Sequence, residues 1–157
     1  PIEIRCVDAS VLAPKEPYDV VTALGTSFIF GGAEKALANL AEYADENGSV
    51  VLIGDRFWRT DRVPPEFARE WTEVPTAYEL AVTARELGFT LTGMITASAD
   101  EWDAYESAIW NSALAYIDLH ENEPAADELA AYLEQIQDEY LAYGREYIGW
   151  GLFVFRQ

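Results

Sequence analysis

Lysine is scarce in this chain: only Lys15 and Lys35 are present among 157 residues, and Lys and Arg together number 10 against 28 Asp and Glu. The net charge of −18 argues against a surface that tracks a nucleic-acid backbone, because phosphate binding needs clustered cations. Cysteine is nearly absent as well. Cys6, the single one, cannot close an internal disulfide, and its place in the apolar run Ile4, Cys6, Val7 predicts a buried, inert thiol. The only histidine, His120, stands beside Glu121 and Glu123 with no second nitrogen or sulfur ligand nearby. It reads as a partner for the negative end of a helix, and no metal is expected. No Ser-His-Asp order, CxxC pair or phosphate loop is found. No apolar run approaches the roughly 20 residues of a membrane span, and no charged-then-apolar leader opens the chain, which predicts a cytoplasmic protein.

Half of the residues are hydrophobic, enough for one ordinary core. The acids are spread through periodic apolar segments that include Trp and Tyr, so they read as a solvated surface rather than a disordered tail. An acidic, lysine-poor surface of this kind is similar to that of cytoplasmic proteins from halophilic organisms, where salt screens the self-repulsion.

Along the chain, residues 2–7 alternate and then break at Asp8-Ala9-Ser10, which predicts a short strand delivering a polar turn. Residues 18–24 form a near-continuous apolar run, the pattern of a parallel strand covered on both faces. A loop containing Gly25, Gly31 and Gly32 leads to a helix over 33–45, with Ala36, Leu37, Leu40 and Tyr43 on one face. Residues 49–54 repeat the buried-strand pattern, and strand, helix, strand in this order is a right-handed crossover, so the fold class is α/β. Residues 55–75 read as irregular and rich in arginine and aromatics. Thr76 and Glu79 form a capping box for a helix ending at Gly88, and a strand over 89–96 follows. Ser98 and Glu101 form a second capping box, opening a helix with Trp102, Tyr105, Ile109 and Trp110 at helical spacing. Pro124 begins another, with Leu129, Leu133, Ile136 and Tyr140 on one stripe. These two helices read as a hairpin inserted over 98–146, and residues 148–155 return to strand composition.

Taken in order, Val7-Asp8-Ala9, Tyr18-Asp19-Val20-Val21, a helix, and Gly48-Ser49-Val50-Val51-Leu52-Ile53-Gly54 resemble the later half of the Rossmann-like domain of class I S-adenosylmethionine-dependent methyltransferases. Ser49 stands where that family's turn carries a second Gly. Gly54-Asp55-Arg56-Phe57-Trp58-Arg59, Glu101-Trp102-Asp103-Ala104-Tyr105-Glu106 and Tyr147-Ile148-Gly149-Trp150-Gly151-Leu152-Phe153 look like segments of a bacterial and archaeal subgroup of small-molecule methyltransferases that carry the same hairpin before the last strand. The family's glycine-rich loop, Asp/Glu-x-Gly-x-Gly-x-Gly, and the acid that binds the cofactor ribose do not occur in this sequence, and the Gly25 to Gly32 stretch has the wrong pattern to replace them.

The resemblance implies a Rossmann-like sheet that is incomplete, its first two strands absent, within a single partial domain over 1–157. It implies S-adenosylmethionine as cofactor, a small-molecule methyl acceptor, no nucleic acid and no membrane. The absent strands leave a gap in the sheet, so a homodimer or strand swap through it is expected unless a longer chain fills it. Asp8 and Ala9 match the position that meets the adenine amino group; Leu24 and Gly25 match the strand end that lines the cofactor cleft. Thr26 and Phe28 follow and face substrate or methyl donor. Arg56 and Trp58 leave the next strand at the same end and suit an anionic or planar substrate, or equally pair with the acidic surface. Tyr105, Tyr143 and Trp150 serve either packing or pocket. Methyl transfer from a sulfonium needs chiefly alignment and exclusion of water; for a hydroxyl or amine acceptor, Asp55 or Tyr105 would supply a base. A non-catalytic interaction domain on the same scaffold is the alternative. A nucleic-acid methyltransferase fits neither the charge nor the absence of an Asn/Asp-Pro-Pro-Tyr/Phe motif after Leu24.

Overall fold

The structure is a computed structural model that describes residues 2–157. Four strands, β1 (Val20–Leu24), β2 (Val50–Trp58), β3 (Thr90–Thr96) and β4 (Ile148–Arg156), form one sheet in the order β1-β2-β4-β3. β1 and β2 run parallel, Val20 opposite Val50 and Leu24 opposite Gly54. β4 is antiparallel to both β2 and β3, so the chain reverses only after the helical hairpin. The helices are α1 (Ala33–Ala41), α2 (Pro65–Ala68), α3 (Ala77–Glu86), α4 (Ala99–Leu119), α5 (Pro124–Glu139) and α6 (Arg145–Tyr147), with a π-helical turn over Tyr140–Gly144 between the last two. No helix among the described residues is long and apolar enough to cross a membrane.

The core forms where period-2 and period-3.6 patterns meet. Val51 and Ile53 of β2 and Phe153 and Phe155 of β4 point to one face of the sheet, where they meet Ala36, Leu37 and Leu40 of α1 and Leu80 and Ala84 of α3. The capping boxes are present as the spacing predicts: the Thr76 and Ser98 hydroxyls accept from the backbone N–H of Glu79 and Glu101, whose carboxylates accept from Thr76 and Ser98 in return. They fix where α3 and α4 begin, and hence where the hairpin leaves the sheet.

Four expectations need correction. Residues 2–7 form no strand; Ile2 and Ile4 are 93% and 91% exposed. A strand persists only through its ladder partners, and none is described beside this segment. For the same reason Cys6 is exposed rather than buried. The third correction concerns β1, which is not covered on both faces: Val20 and Leu24 are 56% and 54% exposed. α1 and α3 pack together on one face of the sheet, and β1 pairs only with β2, so its outer face and one edge stand open. β2 also runs four residues past the expected end at Gly54, because β4 pairs with it as far as Trp58.

Candidate functional site

The carboxyl ends of β1 and β2 create the site. Gly25 turns out of β1 at φ 64°, a left-handed conformation that costs a glycine nothing. Its N–H donates to the Gly54 carbonyl at 2.6 Å. The turn over Ser27–Phe30 then comes back over β2, where Asp55 secures it: Asp55 Oδ2 accepts from the Ser27 N–H at 3.2 Å and Oδ1 from the Arg56 N–H at 2.7 Å. The Arg56 guanidinium lies 4.3 Å above the Trp71 ring, a cation–π placement that draws the side chain over the cavity rather than out to the acidic surface.

Above the strand ends the hairpin forms a roof, leaving a cavity of about 700 Å³. Its floor is Gly25, Asp55, Arg56, Ile148 and Trp150; α4 contributes Trp102, Tyr105, Glu106 and Ile109, and α5 contributes Tyr132, Ile136, Glu139 and Tyr140. The indole of Trp102 stacks on Tyr105, one turn further along, with centroids 5.5 Å apart and planes at 12°. A smaller cavity of about 330 Å³ shares Gly25, Asp55, Arg56 and Trp71 and extends toward Ser27, Phe28 and Gly32. Clefts at the carboxyl ends of parallel strands are where α/β folds collect ligands.

Charge is distributed unevenly around the large cavity. Glu106 and Glu139 are half-buried, and burial pushes both carboxyls above the ordinary glutamate value; the charge of Glu139 adds to the rise at Glu106, that of Glu70 adds to the rise at Glu139, and Arg56 opposes both. Behind the wall, Asp103 is held low by Arg145, which donates through Nε at 2.9 Å and Nη2 at 2.9 Å, and by the Tyr140 hydroxyl at 2.6 Å. Burial and then that bond to Asp103 push the Tyr140 phenol well up, so it remains a protonated donor. The π-helical turn supplies the geometry: one extra residue in the turn places Tyr140 and Gly144 on the cavity and Tyr143 against Phe67.

Of the residues singled out from the sequence, the fold brings Gly25, Asp55, Arg56, Tyr105 and Trp150 to the large cavity and Phe28 to the small one. Thr26 is half-buried at the start of the turn, and Leu24 flanks Gly54. Trp58 and Tyr143 lie elsewhere, in an aromatic cluster around Phe67; Tyr143 stacks on Phe67 at 5.0 Å and Trp58 meets it edge-on at 5.6 Å. Asp8 and Ala9 line neither cavity; Asp8 is exposed and caps a short turn through Ser10. His120 ends α4, its Nδ1 2.8 Å from the Tyr116 carbonyl. No cluster of metal-ligating side chains occurs among the described residues. Sequence reasoning missed Trp71, Glu106 and Glu139. Glu106 lies four residues after Trp102, on the same face of the helix, and was detectable; Glu139 needed the pairing of two helices, and Trp71 the path of an irregular loop.

The strand order, with its single antiparallel strand β4 between parallel neighbours, and the cleft at the strand ends match the fold of class I S-adenosylmethionine-dependent methyltransferases. The crystal structure of a SAM-dependent methyltransferase from Geobacter sulfurreducens, solved with S-adenosyl-L-homocysteine, matches with TM-score 0.79 and 29% identity over 95% of this chain and 61% of that one. A counterpart from Thiobacillus denitrificans, also with S-adenosyl-L-homocysteine, matches with TM-score 0.79 and 28% identity over 95% and 62%. Among curated proteins, the uncharacterized Escherichia coli protein YjhP is 29% identical over 155 residues, 94% of this chain and 61% of its own length. Its X-ray structure superposes with TM-score 0.80. This chain therefore spans about three-fifths of these relatives. No protein-family profile matches.

Proposed function

We propose that this chain is the acceptor-binding part of an S-adenosylmethionine-dependent methyltransferase acting on a small molecule. The observation that carries the reading is the cavity of about 700 Å³ at the carboxyl ends of β1 and β2, lined on its far side by the hairpin, on a fold whose solved counterparts hold the methyl-transfer product of that cofactor. The residues present fit the cofactor in part. Gly25 leaves open space beside the β1 end, since a Cβ there would meet no atom within 4 Å, and Asp8 offers an exposed carboxylate for an amino group. Nothing in this sequence is built for the amino-acid end, so residues outside the chain complete that site, covering the open edge and face of β1.

When bound, the cofactor supplies an electrophilic methyl group on a sulfonium. The protein's share is alignment and dryness. Trp102, Tyr105 and Trp150 give flat walls that orient an acceptor; Asp55 holds the Gly25 to Ser27 turn against β2, so the strand end meets the acceptor at a fixed distance. Tyr105 and Asp55 remain the proposed proton-handling groups, Thr26 and Phe28 the proposed contacts on the donor side, and Arg56 a substrate contact.

Titration calorimetry with S-adenosylhomocysteine, run on this chain and on a longer chain from the same gene, tests the reading. Binding by the longer chain supports it; absence of heat from both overturns it in favour of a non-catalytic interaction domain. That second reading draws on the open β1 edge, which is equally suited to a partner.

A further inference from the structure

We infer that the acceptor bound in the large cavity is an amine that arrives as its ammonium, held between Glu106 of α4 and Glu139 of α5 against the aromatic walls. This rests on the methyl-transfer reading and adds the substrate class.

Acidic residues are abundant on this surface and mean little there. These two differ, because they sit half-buried on the wall of one cavity, on the two facing helices of the hairpin, and the charge of Glu139 adds to the raised proton affinity of Glu106. Partial removal of two carboxylates from water, beside one another, is unfavourable unless a cation restores what solvent no longer supplies. The nearby cation does not pair with them directly: Arg56 is spread over Trp71, and the ion pairs among the described residues are Arg5–Glu3 and Arg145–Asp103. Other glutamates that cap or tie have partners, as Glu101 has Ser98. Trp102, Tyr105 and Trp150 add π faces, which attract an ammonium and repel a carboxylate.

The chemistry balances with a carboxylate as proton acceptor. For an amine the proton goes to Glu106 or Glu139 rather than to Tyr105 or Asp55, whose two oxygens already accept from the Ser27 and Arg56 N–H groups: one N–H proton of the bound ammonium passes to one of these glutamates, freeing the nitrogen lone pair. That lone pair attacks the methyl carbon of the sulfonium donor; the N–C bond forms as the C–S bond breaks, and its electrons leave with sulfur as a neutral thioether. The N-methylammonium product carries the positive charge formerly on sulfur and stays matched to the carboxylate that did not take the proton, the other glutamate being a neutral acid until water re-enters and removes that proton.

Three probes of similar shape test this without turnover: phenethylammonium, 2-phenylethanol and 3-phenylpropionate, followed by tryptophan emission on this chain and on the longer one at moderate salt. The ammonium is expected to bind at least about ten-fold tighter than the alcohol, and the carboxylate weakest. E106Q/E139Q should abolish that preference and leave alcohol binding unchanged. E42Q/E86Q, which removes two exposed charges, should keep it, separating the site from the field of the whole molecule. Equal binding of the probes, tighter carboxylate binding at Arg56, no binding, or the same loss in both double variants overturns the inference. Circular dichroism of each variant confirms folding. The S-adenosylhomocysteine titration reports separately on methyl transfer, so the two can fail independently.

Discussion

Replacing Gly149 with alanine tests why the last strand carries glycine on either side of Trp150. Gly149 pairs with Phe57 across the β2–β4 ladder, and a Cβ placed on it would lie 2.6 Å from Phe57 Cε1 and 2.8 Å from Cζ. That is about 1 Å closer than ordinary carbon contact. Phe57 has nowhere to retreat: it is 7% exposed and meets Phe153 edge-on with centroids 5.5 Å apart. On its other side Gly151 is also close, since a Cβ there would stand 3.3 Å from Phe57 Cε1. Overpacking of this kind costs about 1–3 kcal/mol, reduced by roughly 0.5–1 kcal/mol because glycine loses more backbone freedom on folding than alanine. The net of about 0.5–2 kcal/mol corresponds to a fall in melting temperature of about 1–8 °C for a chain of this size. The assay is a thermal melt of wild type, G149A, F57L and the double variant. The single variants should not add; a coupling of at least about 0.5 kcal/mol is expected, since a smaller side chain at 57 makes room for the methyl. A G149A protein that melts with or above wild type would refute the account of why glycine stands there.

The remaining predictions concern charge and caps. Glu106 and Glu139 have folded-state pKa values above their unfolded ones, so the folded state binds more protons and their destabilising effect, full at neutral pH, is relieved as pH falls through the raised values. E106Q/E139Q should therefore melt higher than wild type at pH 7, with the gap closing below the ordinary glutamate pKa. Asp103 has the opposite sign, its pKa lowered chiefly by the Arg145 hydrogen bonds; its stabilisation is present above its unfolded pKa and lost as pH falls through the folded value, so D103N should melt lower at pH 7 and converge with wild type in acid. S98A removes the hydroxyl that accepts from Glu101 and should cost about 1 kcal/mol, read as a lower midpoint in denaturant. With a net charge of −18, the melting temperature should rise from low to multimolar salt as self-repulsion is screened; no rise would count against a halophilic surface.

Local signals carried well where the chain's own neighbours decide the outcome. Thr76-Ala77-Tyr78-Glu79 and Ser98-Ala99-Asp100-Glu101 set their helix starts through hydrogen bonds spanning three residues, so spacing alone located them. Residues 49–54 read as a buried strand, and Val51 and Ile53 within it are fully buried. Residues 2–7 show the limit: alternation records a capacity to pair, and pairing needs a partner that the sequence pattern cannot supply. Trp58 and Tyr143 show another. Both were legible as aromatic, but whether an aromatic faces a cavity or a neighbouring ring depends on the turn that precedes it, and the π-helical turn at Tyr140–Gly144 has no simple composition signal.

The sequence by itself determined the order and type of the main elements, the α/β class and the acidic character of the surface, since each follows from periodicity, capping and composition within short windows. The tertiary structure decided which side chains share a space. Glu106 and Glu139 lie 33 positions apart on two helices, and Arg56 and Trp71 come from a strand and a loop below them. Their meeting depends on how the hairpin folds back over the sheet, a long-range packing outcome to which no single segment holds the information.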